Sequence, residues 1–219
     1  MIATSRSLMG ALRICGTLAI LAAALSGCFG AVVVGAGAGA LMLTDRRPTE
    51  TYVTDEGIEI RAANRFGERF GDKAHINVTS YNRMVLLTGE VADAAARADA
   101  EKIVSAIPNV KSISNELATA VPSSISGRSN DSYITSKVKA RFVDASSFSA
   151  NHVKVVTEAG VVFLLGIVTQ AEANAAVEVA RTTGGVQKVV RVFEIISPEQ
   201  AKAMSATTAT PQSGSAAKK

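Results

Sequence analysis

One sequence pattern occurs twice in this chain of 219 residues, the second time displaced by 76 or 77 positions. The clearest match is the run Val85–Val91 (VLLTGEV), which returns as Val162–Val168 (VFLLGIV). A duplicated sequence folds as two similar structures. We therefore expect a first repeat at residues 55–120 and a second repeat at residues 131–196, joined by a Ser- and Gly-rich linker at residues 121–130.

Each repeat shows the same order of secondary-structure patterns. Asp55 in the first repeat and Asp131 in the second are candidate helix N-caps or first-turn acids, and apolar residues at helical spacing follow them. Two strand-like runs joined by a short turn come next, then an Ala-rich helix and a final strand. The order α-β-β-α-β predicts an α+β fold in which two helices pack on one face of a small mixed sheet. Gly89 and Gly166 lie inside strand-like runs, where we expect a helix to pack closely over them.

The first 27 residues have the features of a signal peptide. Arg6 and Arg13 precede an apolar run, Ile14–Leu25, that is shorter than the roughly 20 residues needed to span a bilayer. The run ends in Leu25-Ser26-Gly27-Cys28, which matches the lipobox of bacterial lipoprotein signal peptides. The match predicts cleavage before Cys28 and covalent attachment of a diacylglycerol and an N-acyl chain to it. The alternative is an uncleaved signal anchor.

The residue after the lipobox cysteine is Phe29. Asp at this position favours retention of Gram-negative lipoproteins in the inner membrane, so Phe29 predicts an outer-membrane anchor on the periplasmic side. Two or three acyl chains make a durable anchor. Residues 28–54 are then an apolar, flexible spacer, and we expect the low-complexity tail at residues 197–219 to be disordered.

The composition excludes several classes of function. The net charge is +4 and the basic residues do not form runs, which argues against nucleic acid as a partner. His75 and His152 occupy equivalent positions in the two repeats, and they could share a metal only if those two loops packed together. No Ser/His/Asp set or paired acid site is evident. We therefore predict no metal, no small-molecule substrate, no cofactor beyond the acyl groups on Cys28, and no enzyme activity.

Both repeats resemble the BON domain, named for bacterial OsmY and nodulation proteins. The family pattern is a strand, a turn, Val-x-Leu-x-Gly, a helix and then Gly-Val-x-x-Val. The first repeat carries it in Ile76–Val78, Val85–Gly89 and Val110–Asn115. Its Pro108-Asn109-Val110 departs from the usual Gly-Val, whereas Gly184-Gly185-Val186 of the second repeat fits. The resemblance implies two BON domains in tandem that bind phospholipid surfaces and have no catalytic activity.

The opening helix of the second repeat is the candidate lipid-binding element. Tyr133 and Lys137 are spaced i, i+4, and Lys139 and Arg141 follow on neighbouring faces. An aromatic ring with several cations is suited to a membrane interface that contains anionic phosphates. Residues 45–120 hold 10 basic and 12 acidic residues, whereas residues 128–200 hold 8 and 7, so lipid binding is assigned to the second repeat. The alternative is an ordinary solvated helix face.

The sheet of the second repeat shows an unusual outer row. If Val162 and Leu164 face the helices, the residues facing away from them are Val161, Phe163, Leu165 and Ile167, all of them apolar. An apolar row there predicts a covered surface. The cover is the first repeat, another protomer or lipid.

These observations predict an outer-membrane-anchored periplasmic lipoprotein that binds anionic phospholipid and supports membrane integrity. The alternative is an interaction module that recruits an envelope protein through the apolar sheet face of the second repeat.

Overall fold

The computed structural model describes residues 45–209, with side chains described as far as residue 205. The first repeat contains these elements in order: α1 (Thr49–Phe70), β1 (His75–Tyr81), β2 (Met84–Val91), α2 (Ala94–Ser105), β3 (Ser112–Asn115) and β4 (Ala118–Thr119). The second contains α3 (Ile125–Asp144), β5 (Lys154–Glu158), β6 (Val161–Thr169), α4 (Gln170–Arg181) and β7 (Lys188–Ile196). A further helix, α5 (Pro198–Ala209), follows it. The predicted α+β fold with two αββαβ repeats is confirmed.

Each repeat forms a small mixed sheet. In the first, β1 and β2 pair antiparallel, and β3 and β4 both pair parallel to β2. In the second, β5 and β6 pair antiparallel and β7 runs parallel to β6 along its whole length. The antiparallel pairs need only a two-residue turn, whereas the parallel pairs need the crossover that α2 and α4 provide.

The core of each repeat lies between its helices and one face of its sheet. Apolar residues at helical spacing supply the helix side, and alternate residues of the central strand supply the other side. In the first repeat these are Ile58, Ala62, Phe66, Val85, Leu87 and Val91, and in the second Ile134, Val138, Phe142, Val162, Leu164 and Val168. All of these side chains are buried, so the repeats have equivalent but separate cores.

We had expected Asp55 and Asp131 to be helix N-caps or first-turn acids, but both lie further along their helices. Each is buried inside its helix, and its carboxylate accepts hydrogen bonds from both backbone N–H groups of the neighbouring hairpin turn. Asp131 accepts from Ala159 at 2.9 Å and from Gly160 at 2.8 Å, and Asp55 binds the equivalent turn in the same way. Both residues of each turn have positive φ, as a type I′ turn requires. The two aspartates therefore fix the hairpins to the helices.

Both long helices begin six residues before these aspartates. Residues 49–54, expected within a flexible spacer, form the first turns of α1. Ser124, expected within the linker, is the N-cap of α3 and accepts a hydrogen bond from the Gly127 N–H. Residues 49–54 of the expected flexible spacer and residues 125–130 of the expected linker are therefore helical.

Gly89 and Gly166 are required by a backbone contact and not by helix packing, which corrects our expectation. A Cβ atom on Gly89 would lie 2.0 Å from the carbonyl oxygen of His75. A Cβ atom on Gly166 would lie 2.3 Å from the carbonyl oxygen of His152. Only a residue without a side chain allows this approach in either repeat.

Part of the chain expected to be a disordered tail is helical. Helix α5 covers Pro198–Ala209, and its first turn is closed by a reciprocal pair of hydrogen bonds between Ser197 and Gln200. Ala201 is buried, and Met204 packs against the apolar outer row of β6. Low complexity did not prevent ordering here, because an apolar surface is available to cover. Residues 210–219 lie outside the described part of the chain.

The outer faces of the two sheets meet in a third apolar cluster, which we call the inter-repeat cluster. It contains Tyr81 and Leu86 of the first repeat and Phe163, Leu165 and Ile167 of the second. Polar contacts between the repeats surround it: Lys154 with Glu59 at 3.1 Å, Asn77 with Glu158 at 2.7 Å and Asn82 with Glu194 at 2.8 Å. The two repeats are therefore packed on each other through their sheets.

Candidate functional site

Helix α3 exposes a face with apolar residues and cations. Ile125, Tyr133 and Val143 are 77%, 63% and 74% exposed. Arg128, Lys139 and Arg141 are also exposed, whereas Asp131 is buried against the hairpin turn. Burying this acid leaves Asp144 as the remaining carboxylate of α3, so the exposed surface of the helix is positively charged.

Lys137 and Tyr133 form one local unit. The Lys137 ammonium lies 4.6 Å from the centre of the Tyr133 ring, a distance typical of a cation–π contact. The same ammonium donates a hydrogen bond to the carbonyl oxygen of Gly184, in the turn after α4. Lys137 therefore holds both the tyrosine ring and the end of the neighbouring helix.

Arg141 has a structural role that both repeats share. Its Nη1 donates to the carbonyl oxygen of Val179 at 3.0 Å and to Thr183 Oγ1 at 2.9 Å. In the first repeat, the equivalent residue Arg65 donates from Nη1 to the carbonyl oxygen of Ile103 at 3.3 Å, and Ile103 is the equivalent of Val179. Arg141 is thus less available to a lipid headgroup than its charge suggested, because its Nη1 is already hydrogen-bonded to acceptors at the end of α4.

Lys139 is the predicted lipid-binding cation that makes no hydrogen bond or ion pair within residues 45–205. It lines an open cleft of about 310 Å³ where α3 faces the first repeat. Arg47, Tyr81, Val143 and Lys154 also line this cleft. Arg47 and Lys154 are paired with carboxylates at 2.9 Å and 3.1 Å, so Lys139 is the cation most available to an added anion.

The apolar outer row of β6 is buried inside the protein. Phe163, Leu165 and Ile167 are at most 4% exposed, and Val161 is half-buried at the end of the row. The first repeat and α5 provide the cover. These four residues therefore form an interface between the repeats and do not present a free surface to an envelope partner.

Two arginines at the start of the described chain attach it to both repeats, and the sequence reasoning missed them. Arg46 forms two hydrogen bonds of 2.8 Å with the Glu172 carboxylate and one of 2.9 Å with the carbonyl oxygen of Ile167. Arg47 binds Asp45 and Asp55 and lies 4.0 Å from the centre of the Tyr81 ring. The only sequence signal was the charged run Asp45-Arg46-Arg47, directly after a long uncharged stretch.

The contacts of Arg46 lower the pKa of two neighbouring groups, Glu172 and His152. Burial alone would raise the pKa of Glu172, but hydrogen bonds from Arg46 and Thr169 outweigh it and lower that pKa to about 2. Burial and the positive charge of Arg46 lower the pKa of His152, whose Nδ1 lies 3.7 Å from Glu172. The cation beside Glu172 is therefore Arg46, and His152 is neutral at pH 7.

The other histidine, His75, lies in a polar cluster that contains residues of both repeats. His75 Nδ1 lies 3.1 Å from Glu90 Oε2 and 3.8 Å from Glu158 Oε1, and both glutamates are buried. Burial raises the pKa of Glu158. Our sequence reasoning considered His75 and His152 as one pair, but the structure places them in separate clusters with different carboxylates.

Within residues 45–209, no helix combines the length and the apolar run that crossing a bilayer requires. Cys28 and the predicted signal peptide lie outside the described residues.

The fold and the duplicated positions define a tandem-repeat α+β protein. The BON domain family model matches residues 55–120 and again residues 130–197. The chain belongs to the BON-domain family, as the sequence resemblance predicted.

Several curated proteins are similar to this chain. "Outer membrane lipoprotein DolP" of Haemophilus influenzae is 38% identical over 82% of this chain and 95% of its own length. The "21 kDa hemolysin" of Actinobacillus pleuropneumoniae is 37% identical over 69% of this chain and 79% of its own length. "Osmotically-inducible protein Y" of Escherichia coli is 33% identical over 52% of this chain and 58% of its own length. The similarity to DolP thus spans both repeats.

Proposed function

We propose that this protein is a lipoprotein of the outer membrane, attached through Cys28 on the periplasmic side, whose second repeat binds anionic phospholipid. The protein supports the integrity of the outer membrane, and we expect no catalytic role. The relative that is similar over 95% of its length is named an outer membrane lipoprotein, which supports the location and the lipid anchor. The lipid-binding element is α3, with Tyr133, Lys137, Lys139 and Arg141.

One observation carries the lipid-binding proposal. The exposed surface of α3 presents Val143 near Lys139 and Tyr133 against Lys137, while the acid in the middle of the helix, Asp131, is buried against the hairpin turn. Apolar side chains next to cations are the combination that enters the headgroup region of an anionic bilayer. Helix α1 also exposes apolar residues, but it carries Glu50, Glu56 and Glu68 on its surface. These acids offset the exposed Arg61 and Arg69, so the surface of α1 lacks the excess of positive charge that α3 has.

The affinity of this surface is expected to be low. Each cation near an anionic membrane contributes about 1 kcal/mol, and Lys137 and Arg141 also bond to the end of α4. A covalent anchor compensates, because it holds the domain beside the membrane and converts the second contact into an intramolecular one. A weak site is therefore sufficient in the anchored protein.

The alternative function, recruitment of an envelope protein by the outer row of β6, is not favoured because that row is buried. Phe163, Leu165 and Ile167 are covered by the first repeat and α5, so a partner would have to separate the repeats to reach them.

Vesicle flotation of residues 45–209 tests the proposal without the anchor. We expect the fragment to float with vesicles that contain phosphatidylglycerol and to stay behind with pure phosphatidylcholine. Lys139→Glu should reduce the floated fraction at least about fivefold, since it removes the unpaired cation and adds a repelling charge.

Lys188→Glu is the matched control, because it makes the same charge change at an exposed position on β7. It should retain most of the binding, and circular dichroism should show both variants folded. Equal losses in the two variants would mean that only net charge matters and would contradict a site on α3. Equal flotation with both vesicle types would contradict recognition of anionic lipid.

A further inference from the structure

The cluster of His75, Glu90 and Glu158 brings three metal-ligand atoms together at the junction of the repeats. His75 Nδ1 lies 3.1 Å from Glu90 Oε2 and 3.8 Å from Glu158 Oε1. All three ligand atoms lie within 4.8 Å of one another. His75 and Glu90 come from paired positions on β1 and β2, whereas Glu158 ends β5 of the other repeat.

The separations have the size of the edges of a zinc coordination polyhedron. Zinc binds imidazole nitrogen and carboxylate oxygen at about 2.0–2.2 Å, so neighbouring ligands of a tetrahedral ion lie about 3.4 Å apart. The two measured distances from Nδ1 fall on either side of that value. One imidazole with two carboxylates is also a donor set that divalent transition ions accept.

The negative charge of the two buried glutamates is a second, independent reason to expect a cation in this cluster. Glu90 and Glu158 are 5% and 7% exposed, and within residues 45–205 neither forms an ion pair with Lys or Arg. Buried carboxylates are stable when a cation compensates them. His75, shared between them, supplies at most one positive charge.

The equivalent histidine of the second repeat, His152, has a cation from the chain beside its carboxylate, which the cluster at His75 lacks among the described residues. His152, the equivalent of His75, stands beside Glu172, and the guanidinium of Arg46 binds that carboxylate at two points. The second repeat thus has one carboxylate and a cation from the chain itself. His75 of the first repeat has two carboxylates beside it, Glu90 from its own repeat and Glu158 from the other, and no such cation among the described residues.

We propose that a divalent transition-metal ion of the zinc type binds to His75 Nδ1, Glu90 and Glu158, with water completing its coordination. The ion binds the lone pair of Nδ1, so His75 is then the neutral imidazole that carries its one proton on Nε2. Because ligands come from both repeats, the bound ion fastens the repeats to each other.

Two neighbours position the ligands. The Asn77 amide nitrogen donates to Glu158 Oε2 at 2.7 Å and lies 3.4 Å from His75 Nε2. The Ser123 N–H donates to Glu90 Oε2 at 3.0 Å. The oxygen of Glu158 nearest His75, Oε1, is the one that Asn77 leaves available.

Calorimetric titration with ZnCl₂ tests the site in the full-length protein, purified in detergent and stripped with a chelator. We expect one ion per chain and a rise of Tm by about 5 °C at a hundredfold excess over Kd. Glu158→Gln should lower the affinity at least about tenfold and remove the rise in Tm. Glu178→Gln, which removes an exposed carboxylate paired with Arg181, should bind zinc as the parent does.

His75→Ala is the second variant, and it should lose binding to a similar extent with an unchanged far-ultraviolet circular dichroism spectrum. Absence of saturable uptake by the parent protein would overturn the proposal. Uptake that persists unchanged in folded Glu158→Gln or His75→Ala protein would place the metal elsewhere and would overturn it equally.

Discussion

Arg46 binds Glu172 through two parallel hydrogen bonds of 2.8 Å, and so connects the start of the described chain to the first turn of α4. Glu172 already closes the capping box of that helix with Thr169. The arginine thus binds a carboxylate that the helix has fixed in place. This contact holds the start of the described chain against the second repeat.

Removing Arg46 should destabilise the protein. Its side chain is 6% exposed, and its loss leaves the Glu172 carboxylate without its cation and the carbonyl oxygen of Ile167 without the Arg46 hydrogen bond. We expect Arg46→Ala to lower the free energy of unfolding by about 3 kcal/mol, measured by urea denaturation. Arg69→Ala, which breaks an exposed ion pair with Asp99, should cost less than about 1 kcal/mol. Equal losses would contradict the anchoring role of Arg46.

The same pair predicts a pH dependence. The folded pKa of Glu172 is about 2, below its usual value of 4.5. A lowered pKa means that the ionised carboxylate stabilises the fold above pH 4.5, and that this contribution is lost as the pH falls from 4.5 towards 2. Glu172→Gln should therefore show a smaller loss of stability over that interval than the parent, in urea denaturation at several pH values. Parallel curves for the two proteins would show that Glu172 titrates normally.

Gly166 should not tolerate a side chain. A Cβ atom at that position would lie 2.3 Å from the carbonyl oxygen of His152, which belongs to the backbone and cannot turn away. We expect Gly166→Ala to lower the free energy of unfolding by about 2–3 kcal/mol. Gly184→Ala is the control, since a Cβ atom there meets nothing within 4 Å. A small effect at Gly166 would mean that the strands separate more easily than the structure indicates.

The sequence was sufficient to predict what depends on local spacing. Ile134, Val138 and Phe142 recur at helical intervals, and they form the buried stripe of α3. The alternation along Val161–Thr169 predicted which residues face the helices and which form the outer row. Because the pattern is duplicated, each repeat also supported the assignment of the other.

The sequence was not sufficient where a residue's partner lies far along the chain. Asp131 resembled a helix cap, but its carboxylate binds the N–H of Gly160, 29 residues away. His75 and Glu158 meet only because the two sheets pack face to face. Helix α5 orders against the outer row of β6, which exists only after the second repeat has folded. These contacts are products of tertiary packing, which no local pattern encodes.

The central claim is that α3 of the second repeat enters an anionic membrane surface, and the absence of Trp from the sequence permits a direct measurement. Tyr133→Trp places a single fluorescent indole on the exposed face of α3, and Tyr52→Trp places one on α1 as the matched control. With residues 45–219 and phosphatidylglycerol vesicles, the emission of Tyr133→Trp should shift to the blue and be quenched by brominated acyl chains. The emission of Tyr52→Trp should not change. An unchanged spectrum at position 133, or equal shifts at both positions, would contradict the account.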